Sequence, residues 1–132
     1  MKQIDVVGAV IVNDKDEILC ALRSQKMSLP GLWEFPGGKI EQGEEATSAL
    51  VREINEELLC AIEIGELIAD ITHEYPNIKV RLMTYFAKII SGKPVATEHE
   101  KLQWFSSNKL AELDWAPADI PTVHKLCSKS QI

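Results

Sequence analysis

The string REINEE places Arg52, Glu53, Glu56 and Glu57 within little more than one helical turn, three carboxylates around one guanidinium. At about 100° per residue, with Glu53 at zero, Glu57 lies about 40° to one side and Glu56 about 60° to the other. Ala46 and Ala49 share that sector and leave it uncluttered, while Leu50, Val51, Ile54 and Leu58 form an adjoining apolar stripe. One face of such a helix holds it to a core, and the neighbouring face presents acids. Like charges at this spacing repel. Raised pKa values relieve the repulsion, and so does a cation between the carboxylates. Hard divalent ions take oxygen ligands, and Mg²⁺ binds through a few carboxylates plus substrate phosphates. Taken alone, the string reads more readily as a solvated acidic face. The glycine pair Gly37–Gly38, at a fixed distance upstream, favours a Mg²⁺ or Mn²⁺ site instead.

From Gly38 to Cys60 the chain resembles the Nudix box, G-x5-E-x7-R-E-U-x-E-E-x-G-U, where U is a bulky apolar residue. Gly38 opens the pattern, Glu44 follows, and Arg52, Glu53, Ile54, Glu56 and Glu57 take the next fixed positions. Leu59 stands where the pattern has glycine, and Cys60 is the closing apolar residue. A glycine there suits a left-handed helix end, so the departure bears on the helix exit and not on the acids.

The resemblance implies an α+β fold, the Nudix-type α/β/α sandwich, with a mixed central sheet flanked by helices in one domain over residues 1–132. It also implies Mg²⁺-dependent hydrolysis (Mn²⁺ serving as well) of a nucleoside triphosphate to a monophosphate and pyrophosphate, with water attacking the β phosphorus. Such chemistry depends on charge neutralisation and in-line positioning, which acids and a metal supply. Carried onto matching positions, the family roles make Glu56 and Glu57 the main metal ligands and Glu53 a ligand or the base. The Gly37 carbonyl is a further ligand, glycine permitting close backbone approach. Arg52 orients the acids and Glu44 supports them.

Further stretches, AVIVNDKDEILCALRS, LWEFPGGK and WAPADIP, are similar to the MutT branch of the family, nearest to its CTP-hydrolysing members. That branch implies a role in clearing non-standard nucleotides. EHEKLQW resembles a segment that brings one more carboxylate to the metals, here Glu98 with Glu100 as fallback, and some relatives take their base from this region. His99 reads as structural or exposed. Arg23 matches a substrate-contacting arginine suited to a phosphate or the sugar. Phe35, Trp33 and Tyr75 are candidate walls of a base pocket, since aromatic faces stack on bases. Core packing is the simpler role for Trp33 and Phe35.

Asp119, in APADIP, replaces an asparagine that contacts oxidised guanine in the MutT branch. Ionised aspartate only accepts hydrogen bonds. Cytosine offers a donor at N4 and guanine an acceptor at O6. An ionised Asp119 therefore favours a cytidine-type triphosphate, 5-modified forms included, and 8-oxo-dGTP is the alternative. A buried, protonated Asp119 reverses the argument. Aspartate beside prolines also reads as a helix N-cap. A nucleotide-conjugate hydrolase and a non-catalytic nucleotide sensor are the remaining alternatives. Sensors usually lack box acids that this chain keeps.

The elements that must position these residues follow from periodicity and turn residues. Strands are expected over residues 4–12, 18–23, 33–35, 61–73 (as one or two), 78–89 and 99–105. A long helix is expected from Gly43 to Leu59, with Glu44 and Glu45 in its first turn. Ser107 is expected to cap a short helix through Leu113, and a second helix to run from Pro117 to about Cys127.

The 132 residues, 45% hydrophobic and 26% charged, suit one globular domain. A net charge of −6 disfavours a nucleic-acid polymer as partner, though not a metal-bound nucleotide. No apolar run approaches membrane-spanning length, and the N-terminus lacks a convincing signal-peptide cleavage region. Cys20, Cys60 and Cys127, odd in number and widely spaced, read as buried free thiols in a reducing cytoplasm. Monomer and homodimer both remain open.

Overall fold

The computed structural model of the chain describes residues 2–129. Its strands are β1 (Gln3–Ile11), β2 (Glu17–Leu22), β3 (Trp33–Glu34), β4 (Gly37–Lys39), β5 (Ala61–Glu74), β6 (Lys79–Ser91) and β7 (Lys101–Ser106). Its helices are α1 (Ala46–Leu58) and α2 (Ile120–Lys129), with 3₁₀ turns at Ser107–Glu112 and Pro117–Asp119. Four strands form a mixed sheet in the order β4-β1-β6-β5, in which β1 and β6 are parallel and the other pairs antiparallel. The remaining strands form an antiparallel sheet, β3-β2-β7.

Strand alternation in β1 builds the layers. Val7, Ala9 and Ile11 point to one side and join Ala49, Leu50, Ile54 and Leu58 of α1 in one core. Val10 points to the other and joins Phe35, Trp115 and, from α2, Val123 and Leu126 in a second. This is the expected α/β/α layering. Among the described residues, no helix is long and apolar enough to cross a membrane.

Several boundaries depart from expectation for identifiable reasons. The long helix starts at Ala46, because Gly43 (φ 80°) turns the chain and Glu45 (φ −76°, ψ 149°) is still extended. Glu44 and Glu45 are therefore outside the first turn, and Glu44 is free to reach back along the helix. Val51 is 38% exposed and does not belong to the buried stripe. Ser107 caps nothing: it is the first residue of the 3₁₀ turn, whose cap position Ser106 makes no side-chain cap bond. β5 is a single strand whose pairing with β6 shifts register at three places, which blurs its alternation. Leu59 takes the left-handed conformation (φ 58°, ψ 34°) that the pattern's glycine would take, its N–H donating to the Asn55 carbonyl at 3.1 Å. The helix exit is kept, with a side chain in a conformation unfavourable to it.

Candidate active site

The glycine pair exists for close packing. A Cβ at Gly37 would overlap the Val7 carbonyl across the β4–β1 pair, and one at Gly38 would overlap the Glu53 carboxylate. β4 therefore lies flat against the acidic face of α1.

Arg52 fastens that arrangement. Its Nε and Nη2 donate to the two carboxylate oxygens of Glu44 at 2.8 and 2.9 Å, and Nη2 also donates to the Lys39 carbonyl at 3.1 Å. Nη1 donates to Glu53 at 2.9 Å and to Glu56 at 3.3 Å. A planar guanidinium with five donors suits this task, and a lysine does not. Its hydrogen bonds, then that from the Glu41 N–H, lower the Glu44 pKa to about 2. The same Glu44 bond raises that of Arg52.

Glu57 lies outside this network. Its Oε2 is buried and has no hydrogen-bond partner. Burial pushes its pKa up to about 7; nearby His99 opposes the shift, while Glu53, Glu34 and Glu98 reinforce it. Glu98 is exposed, in the bend before β7. Among the described residues, no three His, Cys, Asp or Glu side chains already form a cage for an ion; Arg52 draws Glu53 and Glu56 to itself. The donor set nevertheless fits a hard divalent cation. It is all oxygen, it is crowded with negative charge, and one buried carboxylate oxygen lacks any partner.

The second half of the site forms around β3. Trp33 N–H donates to the Asp114 carbonyl at 2.8 Å, and Ala116 N–H donates to the Trp33 carbonyl at 2.9 Å, so the APADIP segment lies alongside β3. Phe35 N–H then donates to Asp119 Oδ1 at 3.3 Å. Asp119 is 6% exposed and is occupied by that bond; it is not an N-cap, since a 3₁₀ turn already leads into α2. Burial, then the charge of Glu34, raises its pKa well above the usual carboxylate range. The Tyr75 hydroxyl accepts from the Ala118 N–H at 3.2 Å. The Phe35 ring is buried against Trp115, centroids 4.6 Å apart. Arg23 donates to Glu34 and to the Ser28 carbonyl and hydroxyl.

Sequence reasoning missed Glu34; of the two readings of His99, structural or exposed, the buried side chain fits the structural one. Glu34 pairs with Arg23 through one oxygen and with His99 Nε2 through the other, at 2.7 Å. The signal available was one acid in an otherwise apolar and aromatic strand, LWEF, next to the glycines.

Residues 2–126 match the family model of the NUDIX domain. The chain is 40% identical over 121 residues to a CTP pyrophosphohydrolase of Escherichia coli (strain K12), covering 92% of this chain and 89% of that one. It is 31% identical over 126 residues to an 8-oxo-dGTP diphosphatase of the same organism, covering 96% and 98%. The solution structure of a DNA mismatch repair protein MutT, of the Nudix hydrolase family, from methicillin-resistant Staphylococcus aureus 252 superposes with a TM-score of 0.79 at 49% identity, covering 98% and 99%. With the box acids, their arginine and the glycine pair in place, the chain belongs to the Nudix family and is a nucleotide pyrophosphohydrolase of that family.

Proposed function

We propose that the chain hydrolyses nucleoside triphosphates to a monophosphate and pyrophosphate with Mg²⁺, clearing non-standard nucleotides, and prefers cytidine-type triphosphates. The observation that carries the hydrolytic reading is the buried, unpartnered Oε2 of Glu57 among the charges of Glu53, Glu34 and Glu98. Glu53, Glu56, Glu57, Glu98 and the Gly37 carbonyl would hold the metal. Bound there, a divalent cation supplies charge neutralisation at the phosphates and acidifies a water.

The chain's own residues do the rest. Arg52 fixes Glu53 and Glu56 against β4. Glu53 and Glu98 are the two carboxylates able to take the proton of the attacking water. Glu53 accepts a hydrogen bond from Arg52, while Glu98 is exposed to solvent. Arg23 exchanges its Ser28 contacts for a phosphate or sugar oxygen. Tyr75 and Asp119 border the base, and the Phe35 backbone holds Asp119 in place. The buried thiols Cys20 and Cys60 support a reducing, cytoplasmic location.

The cytidine preference is supported by the relative named for CTP and by the acceptor that an ionised Asp119 offers to the N4 amino group. One observation favours 8-oxo-dGTP as a second reading: burial disfavours the ionised form of Asp119, and a neutral acid donates. Measuring kcat/KM with Mg²⁺ for CTP, dCTP, 5-methyl-dCTP, 8-oxo-dGTP and a nucleotide sugar, at pH 6 and pH 9, tests both. The expected outcome is pyrophosphate release, cytidine compounds ahead, and a CTP to 8-oxo-dGTP ratio that rises with pH as Asp119 ionises. An 8-oxo-dGTP lead at both pH values would overturn the cytidine assignment. Turnover of the nucleotide sugar alone would overturn the triphosphate reading.

A further inference from the structure

His99 joins the two halves of the site. It lies in the bend before β7, and its side chain is 1% exposed. An ionised carboxylate only accepts, so His99 Nε2–H donates to Glu34 Oε2, at 2.7 Å. The other oxygen of Glu34 takes Arg23. The next residue, Phe35, holds Asp119 through its N–H. On its other flank, His99 follows Glu98 in a loop tied to the end of α1. Thr97 Oγ1 donates to the Glu57 carbonyl at 2.5 Å, and Val95 N–H donates to the Leu58 carbonyl at 2.9 Å. The loop is thus fastened at one end to the helix turn that bears Glu57 and at the other to the strand that bears the base pocket. Thr97 and Val95 alone would leave its far end held only by the Glu100 N–H, which donates to the Leu22 carbonyl at 2.9 Å.

An ordinary packed histidine belongs to an apolar cluster. His99 is buried yet polar, and its ring serves a part-buried carboxylate. We propose that His99 is a positioning residue whose Nε2–Glu34 bond sets where Glu98 stands relative to Glu57 and to the base pocket. Glu34 is the anchor of the bond on the pocket side. The proposal rests on the hydrolase reading above and adds to it how acids from a loop and a base pocket on another strand keep a fixed separation. A bond of this kind, behind a metal site, contributes about tenfold or more to metal affinity or turnover.

Two substitutions separate the ring nitrogens. The amide nitrogen of glutamine reaches the place of Nε2, and that of asparagine the place of Nδ1. His99→Gln is expected to keep kcat on CTP and Mn²⁺ affinity, measured by electron paramagnetic resonance without nucleotide, near wild type. His99→Asn is expected to lose about tenfold in both, with little change in KM for CTP. Equal losses in the two variants, or no loss in His99→Asn, would overturn the proposal. If His99→Asn does not fold, long-range ¹⁵N–¹H spectra of the metal-free wild type decide. The Nε2–H tautomer supports the bond, and the Nδ1–H tautomer overturns it. Failure of the wild type to hydrolyse any triphosphate would sink the hydrolase reading instead, while Mn²⁺ affinity and tautomer still judge His99.

Discussion

Glu57 is the residue whose surroundings differ most from those of an ordinary surface acid. Burial raises its pKa from 4.5 to about 7 in the free protein. The folded chain then holds this proton more tightly than the unfolded chain does. The stability this contributes is full below about pH 4.5 and is lost as pH rises through about 7. Metal-free protein is therefore expected to lose thermal stability over that window relative to Glu57→Gln, which cannot ionise. Asp119, also raised, acts with the same sign in both proteins and cancels in the comparison. Glu44, lowered to about 2, acts only at more acid pH and in the opposite sense. Added Mg²⁺ is expected to stabilise the wild type near neutrality and to do less for the variant. Superimposable pH–stability curves for the two proteins would contradict the burial argument. The box acids were legible in the sequence because their spacing is fixed within one helix. Glu34 and His99 were not, because they meet across strands far apart in the chain. The ionisation of Asp119 was not legible either, since it depends on what lies behind the carboxyl.

Among the elements, α1 carries the site and its exit carries a local cost. Leu59 holds a left-handed conformation that a side chain disfavours by about 1–2 kcal/mol, and glycine gives back part of that through its larger unfolded-state entropy. Leu59 is 56% exposed, so little burial is at stake. Leu59→Gly is expected to stabilise by about 0.5–1 kcal/mol, a rise of a few degrees in Tm, with kcat unchanged. A lower Tm would mean that the leucine makes contacts worth more than its backbone strain. The apolar stripe Leu50, Ile54 and Leu58 was readable from periodicity, and all three are fully buried. The start of α1 was misread because Glu44 and Glu45 have first-turn composition, whereas Gly43 bends the chain and Arg52 pulls Glu44 away. The single β5 was ambiguous because its bulges interrupt the period-two pattern. The misplaced start and the ambiguity in β5 arise where a local signal is overridden by a distant partner or an irregular backbone.

At the scale of the whole molecule, two cores on opposite sides of the mixed sheet hold the two halves of the site. One core seats α1 with its acids, and the other seats Phe35, Trp115 and α2 behind the proposed base pocket. β1 contributes to both cores, and its Gly8 pairs with Gly37. The acids and the pocket are thus referred to one strand. This layering was readable in outline from the order of elements and from the resemblance of the box; the split of the strands into a four-stranded and a three-stranded sheet was not, because register and partner choice are set by long-range contacts. Glu57 and its neighbouring carboxylates are proposed as the hydrolytic centre, built at a cost in the metal-free fold. The most direct test is the turnover of CTP with Mg²⁺ by Glu57→Gln beside the wild type, with the thermal stability of both recorded without metal at pH 8. The expected result is that kcat falls by about 100-fold or more while the variant is at least as stable as the wild type. Turnover within a few-fold of wild type in a folded Glu57→Gln would place the chemistry elsewhere.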